Sequence, residues 1–316
     1  MITNNEVIYK SVNSNGILEG YYEFNNNNIS LSCNQTINGE CNTISGYGLV
    51  IGGGRCNSSR GNYSIIAGGC GNRMSYATAS FIGGGFGNSI DKCYSSILGG
   101  ICNSISGDQR GISPHSIIGG YCNLLGFGAY NIIGQGYYNA VYGVFNTIIN
   151  GQNNKINSGD STCNNFLGAG VQNNIGSNST SAKFSSIING NFNAISGTIA
   201  ENECSNVILF SNILGGQNNW ISSDYSTILG GKCNNVYHLG STVIGDGASR
   251  VKNSMGACTL SLDFINGTYI KNKVIINTSS PLSSNSAGTS GEIAFDNNYF
   301  YRHNGINWTR TAMSTW

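Results

Sequence analysis

Histidine is the side chain that proteins use most often for proton transfer near neutral pH, and this chain of 316 residues has three. His115, His238 and His303 are far apart in the sequence. His115 stands at a place in an internal repeat where the other copies carry mostly Ser or Asn, which favours a structural corner residue over a catalytic base. The histidines therefore predict no active site.

Paired carboxylates would indicate a polysaccharide-active enzyme, because glycoside hydrolysis uses two acids that converge on a groove. Glu201 and Glu203 lie in one long insertion, whereas Asp224, Asp246 and Asp263 are scattered along the chain. None of these acids forms a pair at the spacing of the repeat. We predict that the protein has no catalytic residues, and a polysaccharide-active enzyme is the least favoured alternative.

The cysteines have neither CxxC spacing nor histidine partners at zinc spacing, so we predict no metal site and no cofactor. Two interpretations of them are open. Cys41 with Cys56, or Cys102 with Cys122, would be neighbours on stacked turns and could form disulfides. The favoured interpretation is that cysteine is a small buried filler in a reducing compartment, since the chain has an odd number, 11.

A repeat with a base period of 15 residues occupies the chain from Asn34 to Ser249. Its most constant residue, called position nine here, is an asparagine that Ser249 replaces in the last of 13 copies. The others are Asn42, Asn57, Asn72, Asn88, Asn103, Asn123, Asn139, Asn154, Asn173, Asn193, Asn219 and Asn234. Some steps are longer, as expected when the turns of a solenoid carry insertions at a corner.

Three further columns of the repeat predict the fold. Position six is glycine in all copies but one, which suggests a corner with positive φ or crowded backbones. Positions three and eleven are almost always apolar, and a 15-residue unit is too short for a helical repeat. We predict an all-β parallel solenoid of about 13 turns, in which the position-nine asparagines form an amide ladder.

Positions two and four point away from position three, and between them they carry one bulky apolar side chain in every turn. This constant volume predicts a packed interface, which we assign to copies of the chain around a symmetry axis. The alternative is that a C-terminal segment covers these residues. The predicted interface residues are Ile37, Val50, Ile65, Phe81, Leu98, Ile118, Ile132, Ile149, Phe166, Ile188, Leu214, Leu229 and Ile244.

Composition excludes several functions. With 9% charged residues and a net charge of +1, the chain has no basic patch for nucleic acid, so we predict no nucleic-acid partner. It also lacks an apolar run long enough to span a membrane, and we predict no membrane insertion. The segment Met1–Glu6 does not resemble a signal peptide, so we expect folding in a cytoplasm before release.

The repeat resembles the heads of trimeric autotransporter adhesins, through segments such as Ile97-Leu-Gly-Gly-Ile-Cys-Asn-Ser-Ile105 and Ile228-Leu-Gly-Gly-Lys-Cys-Asn-Asn-Val236. The resemblance covers residues 34–251. It implies a left-handed β-roll that packs as a homotrimer around a threefold axis. The signal peptide, coiled-coil stalk and membrane anchor of those adhesins have no counterpart in this sequence, so a bacterial-surface role is not implied.

The segment from Gly288 to Trp316 resembles the terminal segments of tail-fibre and appendage proteins of phages and large DNA viruses, through Gly-Glu-Ile-Ala followed by Tyr-Phe-Tyr and Trp-Thr-Arg. Its pattern predicts strands at 292–295 and 299–302 and a turn at Asn304-Gly305. Its aromatic and arginine side chains are candidates for host contact or for packing of the tip. They are Tyr299, Tyr301, Arg302, Trp308, Arg310 and Trp316.

We predict four segments: a cap or attachment segment at 1–33, the β-roll at 34–251, a β neck and Ser/Gly-rich linker at 252–290, and a β-hairpin tip at 291–316. Together these features predict a stiff trimeric spacer of a phage or viral tail fibre, located on the virion or an extracellular appendage. Its expected partners are further copies of itself, a host-surface glycan or protein, and other fibre or baseplate proteins. The alternative is a self-assembling extracellular filament or adhesin without a viral role.

Overall fold

The structure of the protein is a computed structural model. It describes residues 39–107, 114–162, 164–177, 181–196, 207–245, 252–253, 256–263, 281–288 and 290–313. Short strands at 9–12, 18–22, 28–29 and 35–36 are also described. The chain divides into two compact units, residues 1–267 and 268–316. No helix long and apolar enough to cross a membrane occurs in the described part of the chain.

Two parallel sheets of 14 strands each form the first unit as a β-solenoid, which confirms the predicted fold class. The first sheet contains positions two and three of every turn. Its strands are Gln35–Thr36, Val50–Ile51, Ile65–Ile66, Phe81–Ile82, Ser96–Ile97, His115–Ile117, Asn131–Ile133, Thr147–Ile148, Phe166–Leu167, Ser186–Ile187, Asn212–Ile213, Thr227–Ile228, Thr242–Gly245 and Leu260–Asp263.

The second sheet contains positions ten and eleven of the turns that have asparagine at position nine, and it lies on the other side of the interior. Its last strand begins at Lys252, which pairs with Asn234 and so takes the place that the sequence assigned to Ser249. Its strands are Asn28–Ile29, Thr43–Tyr47, Ser58–Asn62, Arg73–Thr78, Ser89–Ile90, Ser104–Ile105, Leu124–Ala129, Ala140–Val144, Lys155–Thr162, Asn174–Ile175, Ala194–Ile195, Trp220–Ile221, Asn234–Val236 and Lys252–Asn253. Equivalent positions of successive turns pair in register, for example Ile82 with Ile97 and Ile90 with Ile105.

The solenoid is longer at both ends than the predicted range of 34–251. Its second sheet begins at Asn28–Ile29, within the segment that we predicted as a cap. Its first sheet ends with Leu260–Asp263, which pairs in parallel with Thr242–Gly245. The start of the predicted neck at 252–290 therefore belongs to the solenoid, because the strands there continue the register after the asparagine column has ended. The neck segment 269–276 lies outside the described residues.

Three smaller sheets complete the structure. Tyr9–Val12 and Leu18–Tyr22 form an antiparallel pair, and Ser181–Lys183 pairs in parallel with Val207–Leu209. In the second unit, Ile293–Phe295, Tyr299–His303 and Trp308–Ala312 form a three-stranded antiparallel sheet. This sheet confirms the strands and the turn that were predicted for the C-terminal segment.

The interior of the solenoid is narrow, because each sheet contributes one apolar side chain per turn. The position-three and position-eleven side chains, such as Ile97 and Ile105, are fully buried. Ser59 is the exception at position eleven, and its buried hydroxyl has no hydrogen-bond partner. The predicted columns thus form a single continuous core.

Position six requires glycine for two reasons, a positive φ and a crowded neighbouring backbone. Gly120 has a φ of +94°, and a Cβ there would lie 2.3 Å from the carbonyl oxygen of Gly136 in the next turn. Real Cβ atoms do not approach an oxygen so closely, and L side chains rarely adopt this φ. Only glycine fits this corner.

Two polar ladders run along the interior. In the predicted one, the backbone N–H of each position-nine asparagine donates to Oδ1 of the previous one, as Asn57 does to Asn42 at 3.0 Å. The same bond links every successive pair from Asn42 to Asn234. The side-chain amide also donates to glycine carbonyls at the corner, as Asn57 does to Gly53 and Gly69. The predicted ladder is confirmed. Its side chains form hydrogen bonds with buried backbone groups at the corner, where the strands have ended.

Candidate functional site

The outward face of the first sheet is the most distinctive surface of the solenoid. Ile65 and Phe81 at position two, and Leu98 and Ile118 at position four, are 38–53% exposed in the single chain. We call the bulky apolar side chains of positions two and four the apolar strip. Its other described members are Val50, Ile132, Ile149, Phe166, Ile188, Leu214, Leu229 and Ile244, whereas Ile37 lies outside the described residues.

In some turns the bulky residue stands at position two and position four is small. The structure gives a local reason for the small residue at position four. A Cβ at Gly83 would lie 2.3 Å from the carbonyl oxygen of Leu98, so the backbone of that turn excludes larger residues. The Phe81 ring reaches over this glycine, with its Cε1 atom 3.3 Å from the same Cβ point. The backbone thus explains the small residue at position four, whereas the Phe81 ring that replaces the lost volume is 38% exposed in the single chain.

The outward face of the second sheet differs in chemistry. At position ten it carries mostly polar or charged side chains, with Leu124, Ala140, Ala194 and Trp220 as the exceptions. Trp220 donates from its indole N–H to the carbonyl oxygen of Ser196 at 2.7 Å. The polar members are Thr43, Ser58, Arg73, Ser89, Ser104, Lys155, Asn174 and Asn235. The inward side chains of both sheets are nearly all apolar, so the two sheets differ in the chemistry of their outward faces.

A column of aromatic rings borders the apolar strip, and the sequence analysis missed it. These rings occupy the residue just before position one, where the backbone is left-handed with φ near +55°. Where successive turns both carry such a ring, the rings stack, with ring centres 4.8 Å apart for Tyr130 and Phe145 and 4.9 Å apart for Phe184 and Phe210. We call them the aromatic column; its members are Tyr63, Tyr94, Tyr130, Phe145, Phe184, Phe210 and Tyr225.

The aromatic column is unusual because bulky residues rarely adopt positive φ. All of its members are also exposed. Stacked rings cover each other's faces, so Phe184, Phe210 and Tyr225 offer mainly their edges to a partner. The recurrence of Tyr or Phe one residue before position one was the signal in the sequence that could have revealed the column.

A second polar ladder, also missed from the sequence, runs through position one. Its rungs combine Ser, Asn and His, and each backbone N–H donates to the side chain of the previous turn. His115 is one rung: its N–H donates to Ser95 Oγ, and its Nδ1 accepts from the N–H of Asn131. The other ring nitrogen, Nε2, lies 3.1 Å from the carbonyl oxygen of Gly128.

Burial, together with the charge of Lys92, lowers the pKa of His115 to about 4. The imidazole is therefore neutral at physiological pH and fully used by hydrogen bonds. This is the structural role that was expected of His115.

Two of the described carboxylates contact backbone or basic groups of the solenoid. Asp224 Oδ1 accepts from the backbone N–H of Leu209, and Glu40 forms an exposed ion pair of 3.5 Å with Arg55. Among the described residues, no three His, Cys, Asp or Glu side chains form a group that could hold a metal ion. Glu201, Glu203 and Asp246 lie outside the described residues.

The position-eight cysteines correct one expectation. Cys41, Cys56 and Cys102 are exposed and Cys122 is half-buried, so these cysteines are not buried filler. The reason is the backbone: φ at position eight is near +55°, which turns the side chain out of the corner just before the buried asparagine. All cysteines in the described part of the chain have free thiols.

The candidate contact residues of the C-terminal sheet fall into two groups. Tyr301 and Trp308 are 7% exposed and form the core of this sheet, where Trp308 packs edge-on against His303. Arg302 and Arg310 are exposed, and the Arg310 guanidinium lies 4.3 Å from the centre of the half-buried Tyr299 ring. Trp316 lies outside the described residues. Packing thus accounts for Tyr301 and Trp308.

Asp296 organises the first turn of the C-terminal sheet. Its Oδ1 accepts from the backbone N–H groups of Asn298 and Tyr299, and its Oδ2 accepts from the Tyr301 hydroxyl. The hydrogen bond from Tyr301 lowers the pKa of the Asp296 carboxyl, which stays ionised. Of the six candidate contact residues, Arg302 and Arg310 are the two that are exposed in the described part of the chain.

Comparison with known proteins gave no assignment. No protein-family model matches the chain. No curated protein matches it significantly either.

Proposed function

We propose that the chain is the structural subunit of a fibre, in which three copies of the solenoid pack through their apolar strips and act as a stiff spacer. The observation that carries the proposal is the contrast between the two sheets. One outward face carries a bulky apolar side chain in every described turn, whereas the other is mainly polar. An exposed apolar face of this length on an isolated chain would cause aggregation, and a closed symmetric assembly removes it.

Three properties of the strip support a second copy of this chain as its partner. The strip repeats at the spacing of the turns, which matches an identical strip better than an irregular surface. It carries no charged residue at position two or four, so nothing opposes self-contact. The aromatic column widens it on one side, and aromatic residues are enriched at the centres of protein interfaces.

The biological setting of the proposal is a phage or viral tail fibre or a similar appendage. The repetitive solenoid and the small C-terminal sheet support it, since a stiff rod and a separate tip are the parts of such a fibre. The exposed Arg302 and Arg310 are the proposed contacts with a host-surface glycan or protein. Other fibre or baseplate proteins would hold the opposite end.

Sedimentation of paired variants tests the assembly. Ile118→Asp places a charge on the strip and should convert a trimer into monomers of 33.3 kDa. Ile117→Asp should instead unfold its turn, because Ile117 is fully buried in the core. Ser104→Asp on the outward face of the second sheet is the matched control and should leave the trimer intact. A wild-type protein that sediments as a monomer, or an Ile118→Asp variant that sediments as the wild type does, would overturn the proposal.

Imaging tests the setting. Antibody against the C-terminal sheet should label the free ends of appendages on virions. Label found only along cell-free filaments that join end to end would indicate a self-assembling extracellular filament instead.

A further inference from the structure

Two pairs of cysteines are stacked in register on adjacent turns. The Cys56 N–H donates to the Glu40 carbonyl oxygen at 2.8 Å, and the Cys122 N–H donates to the Ile101 carbonyl oxygen at 2.9 Å. The next residue in each turn is also fixed, since the asparagines of successive turns are hydrogen-bonded to each other. The members of each pair are therefore held side by side by the backbone on both sides.

This register gives a Cα separation within the range that disulfides span, and the bond would draw the two Cβ atoms slightly closer than the strand spacing. Neighbouring strands lie about 4.8 Å apart, and disulfides join residues whose Cα atoms are about 4.4–6.8 Å apart. Cys41 and Cys56 have φ values of 55° and 54°, and Cys102 and Cys122 have 54° and 52°, so both side chains of a pair leave the backbone in the same direction.

We propose that Cys41–Cys56 and Cys102–Cys122 are two oxidation sites, at which a small-molecule disulfide converts each pair of stacked thiols into a disulfide that joins successive turns. Both sites are open to solvent, since three of the four thiols are exposed. The bond would close the 15-residue step between Asn42 and Asn57 and the 20-residue step between Asn103 and Asn123. Each closure fixes the register of two turns covalently.

The reaction needs only oxidised glutathione. One thiolate attacks its sulfur–sulfur bond, forms a mixed disulfide and releases one glutathione thiolate. The second cysteine then displaces the other glutathione, and the two protons of the pair end on the two glutathione thiols. Desolvation and the neighbouring thiol raise the pKa of Cys41 and Cys102, so mildly alkaline buffer should accelerate the exchange.

Peptide mapping of the native full-length protein tests the proposal. Trypsin cleaves after Arg55 and Arg110, between the members of each pair, so each disulfide yields a linked pair of peptides under non-reducing conditions. We expect linked peptides for Cys41–Cys56 and Cys102–Cys122 after treatment with oxidised glutathione. Finding only glutathione adducts at these cysteines, or the same mixture of pairings as in urea-unfolded protein, would refute it.

Cys233 provides a matched control and a gain-of-function variant. Its neighbour in the position-eight column is Asn218, and the two are in register through a bond of 3.0 Å from the Cys233 N–H to the Gln217 carbonyl oxygen. In the wild type, Cys233 should form a glutathione adduct. Asn218→Cys should redirect it into a disulfide between positions 218 and 233, with trypsin cleavage after Lys232 separating the partners. If Cys233 keeps the adduct in Asn218→Cys, stacking does not direct oxidation.

This inference does not rest on the proposed fibre function. The monomeric Ile118→Asp variant should form the same two disulfides, because both pairs lie within one chain. Peptide mapping tests the disulfides and sedimentation tests the trimer, so either proposal can fail without the other.

Discussion

At the scale of single residues, His115 shows how one ladder position can accept different side chains. Ser, Asn and neutral His share an acceptor atom that can receive a backbone N–H from the next turn. The cost appears only when the histidine is protonated, because Nδ1 then loses its lone pair and cannot accept from Asn131. A pH-sensitive rung is thus part of a ladder whose other rungs, Ser and Asn, do not titrate.

His115 should make the solenoid less stable in mild acid. Its pKa is about 4 in the folded chain and near 6.5 when unfolded, so between these values the unfolded chain binds a proton that the folded chain does not. Stability should therefore fall as pH falls from 6.5 and level off below about 4, with a total loss of about 3 kcal/mol.

Urea unfolding at a series of pH values measures this effect. His115→Asn keeps the rung, as Asn131 and Asn146 show in the next turns, and should remove this part of the pH dependence. Identical pH profiles for wild type and variant would contradict the assignment.

At the scale of the repeating turn, the corner glycines are not equivalent. Gly119 and Gly120 are adjacent, yet a Cβ at Gly119 would meet nothing within 4 Å, whereas at Gly120 it would meet the Gly136 backbone. Gly120→Ala should destabilise the protein by more than about 3 kcal/mol, since it combines a collision with a positive φ.

Gly119→Ala is the internal control, and it should have an effect of less than about 1 kcal/mol. Thermal unfolding of the two variants compares them directly. Equal midpoints would show that the corner relaxes more easily than its geometry indicates.

The sequence predicted those positions of the turn at which a single residue type recurs because only that type fits. Glycine at position six, asparagine at position nine and the apolar residues at positions three and eleven each identify a column, and the structure confirms these columns. The position-one ladder was missed because Ser, Asn and His115 are different residue types, although each accepts a hydrogen bond from the backbone of the next turn. The exposed cysteines were misplaced because a left-handed residue interrupts the two-residue alternation of a strand.

The apolar strip marks the limit of prediction at the candidate site. Its residues were identified from compensating volumes, and the structure places every described one on the outward face. What covers them depends on a second molecule, so the sequence pattern predicts that a partner is needed and the chemistry of the strip carries the proposal of a second copy. In the C-terminal sheet, sequence identified the strands but did not distinguish the core residues Tyr301 and Trp308 from the exposed arginines.

At the scale of the whole solenoid, turns are exchangeable units. Deleting residues 58–72 would join Asn57 to Arg73, so that position nine is again followed by position ten. Because each turn contacts mainly its two neighbours, this variant should fold with a thermal midpoint within about 5 °C of the wild type. Circular dichroism measures both the β content and the midpoint.

A deletion of residues 58–65 is the matched control. It removes about half a turn and puts Asn57 before Ile66, so the ladders and the core columns lose their register. That variant should fail to form the solenoid. If both deletions fold equally well, register does not control the assembly of the turns.

The asparagine ladder also sets the length of the solenoid. Successive asparagines are one rung apart whether 15 or 26 residues separate them in the chain, as for Asn42–Asn57 and Asn193–Asn219. Each rung advances the solenoid by about 4.8 Å. Its physical length therefore depends on the number of asparagines and not on the number of amino acids. Duplicating a turn in the gene would lengthen it by one fixed increment, and loops could grow or shrink without altering its reach.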